Sequence, residues 1–208
     1  SFEVEKKLLR GTTRIEIEEN QKLHLLFPDL QITAALMSTG SRENAPIDLG
    51  QKSSLELPAS DEQRTVLISY EKRIQSNFSN TISDRAIILT SNWYPLPQQQ
   101  ALFSLSAQLP EGFIALSQAD QFEQADARGQ VQFSFSQPLY ALTFISAPYV
   151  KTAKPIRDDL QLYTLFFKED QELAQGYLEA AAEYVRRYER LIGPFPYNHY
   201  VIAENIMP

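Results

Sequence analysis

"LQLYTLFFKEDQELAQGYLEAAAEYVRRYERLIGPFPYNHYVIA", Leu160 to Ala203, is the stretch on which the fold turns, because its periodicity changes twice. Leu160, Leu162, Leu165, Phe166 and Phe167 read as one apolar strand. From Asp170 the period becomes helical. Leu173, Tyr177, Ala181, Tyr184, Tyr188 and Leu191 recur at three- and four-residue spacings, which places them on one stripe. Asp170 is positioned to cap the amino end, and Gly193-Pro194 stops the helix near Ile192. A second strand then runs from Tyr200 to Ala203. An amphipathic helix of this length needs a surface to rest on.

Upstream the texture is different. "APYVKTAKPIRDD", residues 147–159, has two prolines and mixed charge and reads as a domain boundary. Before it, up to about residue 150, apolar residues alternate with period two. Phe2, Val4 and Leu8 make one run, and Ile15 with Ile17 another. Leu30, Ile32, Ala34 and Leu36 follow, then Val66, Ile68 and Tyr70. Phe103, Leu105, Ala107 and Leu109 continue the pattern, as do Val131, Phe133 and Phe135. Successive strand side chains face opposite sides, so this alternation buries one face of an antiparallel sheet. Turn formers at Pro28-Asp29, Thr39-Gly40-Ser41, Pro110-Glu111-Gly112 and Arg128-Gly129 separate the runs. "SQPLYALTFISAPYVK", residues 136–151, reads as one long buried strand. The expectation is a mainly β chain: an antiparallel β-sandwich over 1–150, then a strand, a long helix and a second strand over 151–208.

Composition narrows the function. With 208 residues and a formal charge of −7, the chain has no basic cluster beyond Arg186-Arg187, which argues against a nucleic-acid partner. No apolar run approaches the roughly 20 residues of a membrane-spanning helix. "SFEVEKKLL" has neither the apolar block nor the cleavage site of a signal peptide. Cysteine is absent, which removes disulfides, thiolate metal sites and cysteine nucleophiles.

Motifs that carry chemistry are missing too. Only His24 and His199 are present, and no His-Glu-x-x-His occurs, so the chain is expected to hold no zinc or other cofactor and no catalytic residue. Gly-x-Ser-x-Gly, Gly-x-Gly-x-x-Gly and the Walker loop are all absent. Asp158-Asp159 and Glu169-Asp170 read as solvated surface or caps. Asn77-Phe78-Ser79 matches the glycosylation pattern, which carries no meaning in a bacterial protein. One local cluster stands out. The only tryptophan lies in "LTSNWYPLP", where Trp93 and Tyr94 precede Pro95 between two strands. Such aromatics either pack the end of a sandwich or form a ligand-stacking platform.

Taken in order, these pieces resemble the amino-terminal region of the M1 family of zinc aminopeptidases. "SNWYPLP" is similar to the family's aromatic-proline stretch. "ALFSLSAQLPEGFIALSQ" is similar to the strand–Pro–Gly–strand unit that follows it, and residues 136–151 to the strand that closes the β domain. Leu160 to Pro208 resembles the start of the catalytic domain, its helix ending in Gly-Pro-(aromatic)-Pro-Tyr. Residues 1–60 match in texture only. The resemblance implies a saddle-shaped β domain followed by the first elements of a thermolysin-like domain, truncated before the catalytic motif. It implies an inactive chain that walls the substrate cleft of a parent enzyme. The parent would supply zinc, the rest of the catalytic domain and a peptide substrate. Glu204-Asn205 is not the family's Gly-x-Met-Glu-Asn motif, since Val201-Ile202-Ala203 precede it. An exposed helix face would favour a dimer, and the reading leans towards an exported or cell-envelope bacterial protein. The alternative is a free-standing β-sandwich that binds a carbohydrate or other ligand on Trp93 and Tyr94.

Overall fold

A computed structural model describes residues 1–49 and 52–206. The fold is mainly antiparallel β, with a single long helix flanked by strands near the carboxyl end. By contacts the chain divides into two compact units, residues 1–103 with 136–145, and residues 104–135 with 146–208. The period-two reading placed 104–135 in the 1–150 domain, whereas by contacts these residues group with the second unit.

Unit 1 contains β1 (Phe2–Glu3), β2 (Leu8–Ile17), β3 (Leu23–Leu26), β4 (Gln31–Thr39) and β5 (Ala45–Pro46). Further along are β6 (Ser54–Leu57), β7 (Arg64–Arg73), β8 (Asn80–Ile82), β9 (Ile87–Leu89) and β10 (Leu96–Pro97). A five-stranded antiparallel sheet has the order β1-β2-β7-β4-β5, and a three-stranded sheet the order β10-β3-β6. Ile17 from β2, Ala35 from β4 and Val66 and Ile68 from β7 meet Leu23, Leu25 and Leu55 from the smaller sheet in one apolar core. Val66 and Ile68 are wholly buried. The long antiparallel register from Leu8↔Arg73 to Ile17↔Arg64 puts Gly11, Thr13 and Ile15 on that same face.

Three strand expectations are corrected here. Phe2, Val4 and Leu8 do not share a strand: Lys7 has φ 50°, and the chain turns so that Phe2 pairs with Leu9. In β4 the register shifts between Ile32 and Ala34, which is a bulge. One extra residue reverses the alternation, so Ala35 is buried and Ala34 exposed, and Met37 rather than Leu36 packs on the core. Residues 136–151 are not one strand, because Pro148 separates β14 (Phe144–Ala147) from a later strand and lacks the N–H that a ladder needs.

Unit 2 contains β11 (Ser104–Gln108), β12 (Ile114–Leu116), β13 (Gln130–Ser134), β15 (Val150–Arg157), β16 (Leu160–Phe166), α1 (Ala174–Ile192) and β17 (His199–Ala203). β11 and β13 pair antiparallel. β15 pairs antiparallel with β16, and β17 lies parallel to β16. Parallel neighbours need a long crossover, and α1 provides it. Its Leu178, Ala181, Ala182 and Val185 pack on Leu160 and Leu162. The alanines let the helix axis approach the sheet. Of the stripe read from the sequence only Ala181 is buried, because the smaller Ala-Leu-Val stripe beside it packs instead. Asp170 is no cap either. It sits in a 3-10 turn, Lys168–Leu173, and neither that turn nor α1 has a side-chain cap. At the other end Gly193 takes φ 114°, a conformation suited to glycine, and its N–H bonds the Glu189 carbonyl at 3.1 Å.

Candidate functional site

The aromatic loop Ser91–Pro97 of unit 1 leaves β9 through Asn92, whose φ is 56°. Trp93 and Tyr94 are each 5% exposed, and their rings meet edge to face at 4.7 Å. Both bond the backbone of the same residue, Leu142. Trp93 Nε1–H donates to the Leu142 carbonyl at 3.0 Å, and Leu142 N–H donates to the Tyr94 hydroxyl at 2.9 Å. Phe144 lies 6.4 Å from Trp93, and Phe103 6.1 Å from Tyr94. Burial pushes the Tyr94 hydroxyl pKa up. Beside this cluster, Lys72 Nζ donates to the Pro28 and Asn92 carbonyls, both at 2.8 Å, and fastens the loop to the turn at Pro28-Asp29. The same chemistry recurs at Arg64, which is 7% exposed and donates through Nη2 to the Gln21 and Pro58 carbonyls. Neither cation is marked out by its sequence neighbours.

The two histidines lie apart. His24 sits on β3 opposite Glu56, 3.5 Å from its carboxylate. His199 opens β17 in the other unit and bonds Asn198 at 2.7 Å. Burial lowers its pKa, against the charge of Asp120. Among the described residues no three His, Cys, Asp or Glu could hold a metal ion together. Among the described residues the donors present do not fit a zinc centre. Asp159 bonds Arg157 at 2.5 Å in a surface turn. Asn77 Oδ1 accepts the Ser79 and Asn80 N–H groups, leaving Phe78 at the loop tip 78% exposed.

In unit 2 the turn after α1 is held by a clamp that the sequence does not announce, since its partners are 32 residues apart. The Arg157 guanidinium bonds the Glu189 carboxylate and, at 3.1 Å, the Phe195 carbonyl. Glu189 also accepts the Phe195 N–H at 3.0 Å, and that bond first, with Arg157 beside it, holds the Glu189 pKa below the usual carboxylate value. Between this turn, α1 and β17 lies a groove of about 840 Å³ walled by Tyr177, Tyr184, Tyr188, Ile192, Tyr200 and Ile202. Phe195 packs edge-on against Tyr197 at 5.4 Å and Tyr200 at 6.2 Å. The charged group in its lining, Glu189, is committed to the clamp.

Glu204 is anchored three ways at the end of β17. Its N–H donates to Leu165 at 2.9 Å, its carbonyl accepts the Tyr149 hydroxyl at 2.7 Å, and its carboxylate accepts the Phe167 N–H at 2.8 Å. Burial raises its pKa. The Phe167 N–H opposes the shift, while Asp170 and Glu169 add to it. The folded state therefore favours the protonated acid, so stability is highest below the ordinary carboxylate value and is lost as pH rises through the folded pKa. Glu189 runs the other way, losing stability as pH falls below that value. His199, whose pKa burial lowers, opposes it too, so the Glu204 contribution is read by difference: the melting temperature of Glu204→Gln relative to wild type should be higher at neutral pH than in mild acid. Thermal melts across the range check it, and an unchanged slope in the variant would refute the assignment to Glu204.

No protein-family model and no curated protein matches the chain. Among solved structures it is similar to the M1 zinc metallopeptidase from Deinococcus radiodurans, with a TM-score of 0.61 at 13% identity over 95% of this chain. At that identity the likeness establishes the fold alone. The match takes in 52% of the other chain, so this chain spans about half the length of the structure it resembles.

Proposed function

We propose that this chain is the amino-terminal region of an M1-like zinc metallopeptidase, walling one side of the parent's substrate cleft and inactive alone. The observation that carries the reading is the fold likeness, which takes in nearly all of this chain and half of the zinc metallopeptidase. Residues 1–150 would form the β domain, and 151–208 would open a catalytic domain completed by the rest of the parent. Zinc and its ligands would belong to that remainder, because the donors here do not fit a metal. Trp93 and Tyr94 serve packing in this reading, and their burial with both bonds to Leu142 supports it. A free-standing module with those two rings as a ligand platform would need them accessible.

Two measurements test the proposal. The 208-residue chain is expected neither to hydrolyse aminoacyl reporter substrates nor to retain zinc after dialysis, lacking the ligands and the general base. One tightly held zinc per chain would contradict it. The parent's reading frame is expected to encode His-Glu-x-x-His downstream of Pro208, and a frame without that motif would remove the peptidase reading.

A further inference from the structure

We infer that residues 121–125 form a strap that opens and recloses as one piece over the sheet face opposite α1, with Phe122 as its fastening. The inference goes beyond the peptidase reading and does not depend on it.

The strap lies in the irregular stretch between β12 and β13, and both of its ends are tied to β13. At one end Asp120 N–H donates to the Ser134 carbonyl at 3.0 Å. At the other, Asp126 N–H donates to the Gln130 carbonyl at 2.8 Å. The Asp126 carboxylate also accepts the Arg128 and Gln130 N–H groups, at 2.8 and 2.9 Å. Ser117 and Ala119, ahead of the first tie, are buried, whereas Gln121 and Gln124 between the ties are exposed. The span between the ties carries neither helix nor strand.

Phe122 fastens the middle of that span. Its ring stacks on Tyr163 of β16 with the centres 4.7 Å apart and the planes 25° from parallel. Lys151 of β15 places Nζ 5.1 Å from the Phe122 ring centre and 5.7 Å from that of Tyr163. Three such similar distances make a nearly equilateral triangle, so the ammonium sits beside the stack and attracts both rings. Leu160 and Leu162 pack on α1, and side chains alternate along a strand, so Tyr163 points away from the helix. The register of Lys151 with Leu165 and Ala153 with Tyr163 puts Lys151 on that same outer face. The fastening is therefore separate from the Leu160–Leu162–Leu178 core, and its release leaves that core intact.

The strength of the fastening sets how the strap behaves. Phe122, Tyr163 and Lys151 are all half-buried. A ring stack and a cation beside it, at a partly exposed site, favour the closed form by roughly five- to fiftyfold. The entropy of ordering the span offsets part of that. Global unfolding of a small domain is disfavoured by about 10³–10⁸. The strap accordingly opens far more often than the unit unfolds. Each opening frees Lys151 and bares the Tyr163 ring.

The test is cleavage of the folded 208-residue chain after Glu123 by a glutamyl endopeptidase, read by mass spectrometry. When opening is fast relative to cutting, the rate follows the population of the open span. Wild type should be cut after Glu123 well before it is cut after Glu179 or Glu183 of α1. Lys151→Met and Tyr163→Leu leave the cleaved sequence untouched, and should speed that cut about threefold and about tenfold. Phe122→Ala should speed it about tenfold once normalised to cutting of the free peptide 117–127. Phe78→Ser, on an exposed loop of the other unit, should leave it unchanged. Circular dichroism establishes that each variant is folded, and Lys151→Met, which keeps the side-chain stem, serves if Tyr163→Leu is not. Variants cut after Glu123 at the wild-type rate overturn the inference, as does a wild type cut there no sooner than in α1. Neither result bears on the peptidase reading, which the reading frame decides separately.

Discussion

Replacing Trp93 with alanine is expected to lower the unfolding free energy by roughly 3–5 kcal/mol, the usual cost of removing a buried large aromatic side chain. Two losses combine. The indole fills space among Tyr94 and Phe144, and its N–H is the donor that the Leu142 carbonyl uses. Removing it leaves a cavity and a buried acceptor together. The melting temperature should fall by on the order of 10 °C. Trp93→Phe keeps most of the volume but loses the donor, and should cost only about 1–2 kcal/mol. Because Trp93 is the single tryptophan, wild-type fluorescence reports on this site alone. Its emission should lie well to the blue of free indole in water and resist acrylamide. An alanine variant that melts with wild type, or water-like emission, would show the ring to be accessible and reopen the ligand-platform reading.

Gly11→Ala should be the next most damaging change. Gly11 lies mid-strand opposite Tyr70, and a methyl group there would overlap the Tyr70 ring, whose Cε1 stands 2.8 Å from the new carbon. The backbone conformation is ordinary for a strand, so the position requires space, not glycine's freedom. The ring covers the strand where a side chain would otherwise pack. It cannot swing aside easily, being 5% exposed with its hydroxyl bonded to Thr13. Overpacking of this kind costs roughly 1–3 kcal/mol. Denaturant titration of Gly11→Ala, Tyr70→Leu and the double variant would give a cycle in which the double is less destabilised than the sum of the singles. Simple additivity would mean that the two positions do not compete for space.

The parts of this fold legible in the sequence are those set by local periodicity. Val66, Ile68 and Tyr70, and Val131, Phe133 and Phe135, alternate without interruption, and their burial follows the alternation. The helix announced itself by its change of period, and its stop by Gly193-Pro194. What failed was decided by neighbours distant in the chain. The bulge in β4 arises from pairing with β7, so nothing near Ile32 warns that Ala34 will turn outward. The α1 stripe was misplaced because two apolar stripes lie side by side on the helix, and only the sheet decides which one packs. The Arg157–Glu189–Phe195 clamp joins residues that carry no motif. The mate of Trp93 and Tyr94 is the backbone of Leu142, 49 and 48 residues away, with which no side chain could be matched.

That distant mate also dictates how the protein can be made and divided. Unit 1 is discontinuous: residues 136–145 return to it only after residues 104–135 have gone to the other unit. During synthesis the indole and phenol of "NWYP" therefore exist before the peptide that satisfies them, and unit 1 cannot finish until residue 145 has left the ribosome. The two units mature as interleaved segments rather than in succession. No single cut in the chain yields both of them whole. A piece ending at Phe103 would carry Trp93 without Leu142, and one starting at Ser104 would carry Leu142 without Trp93.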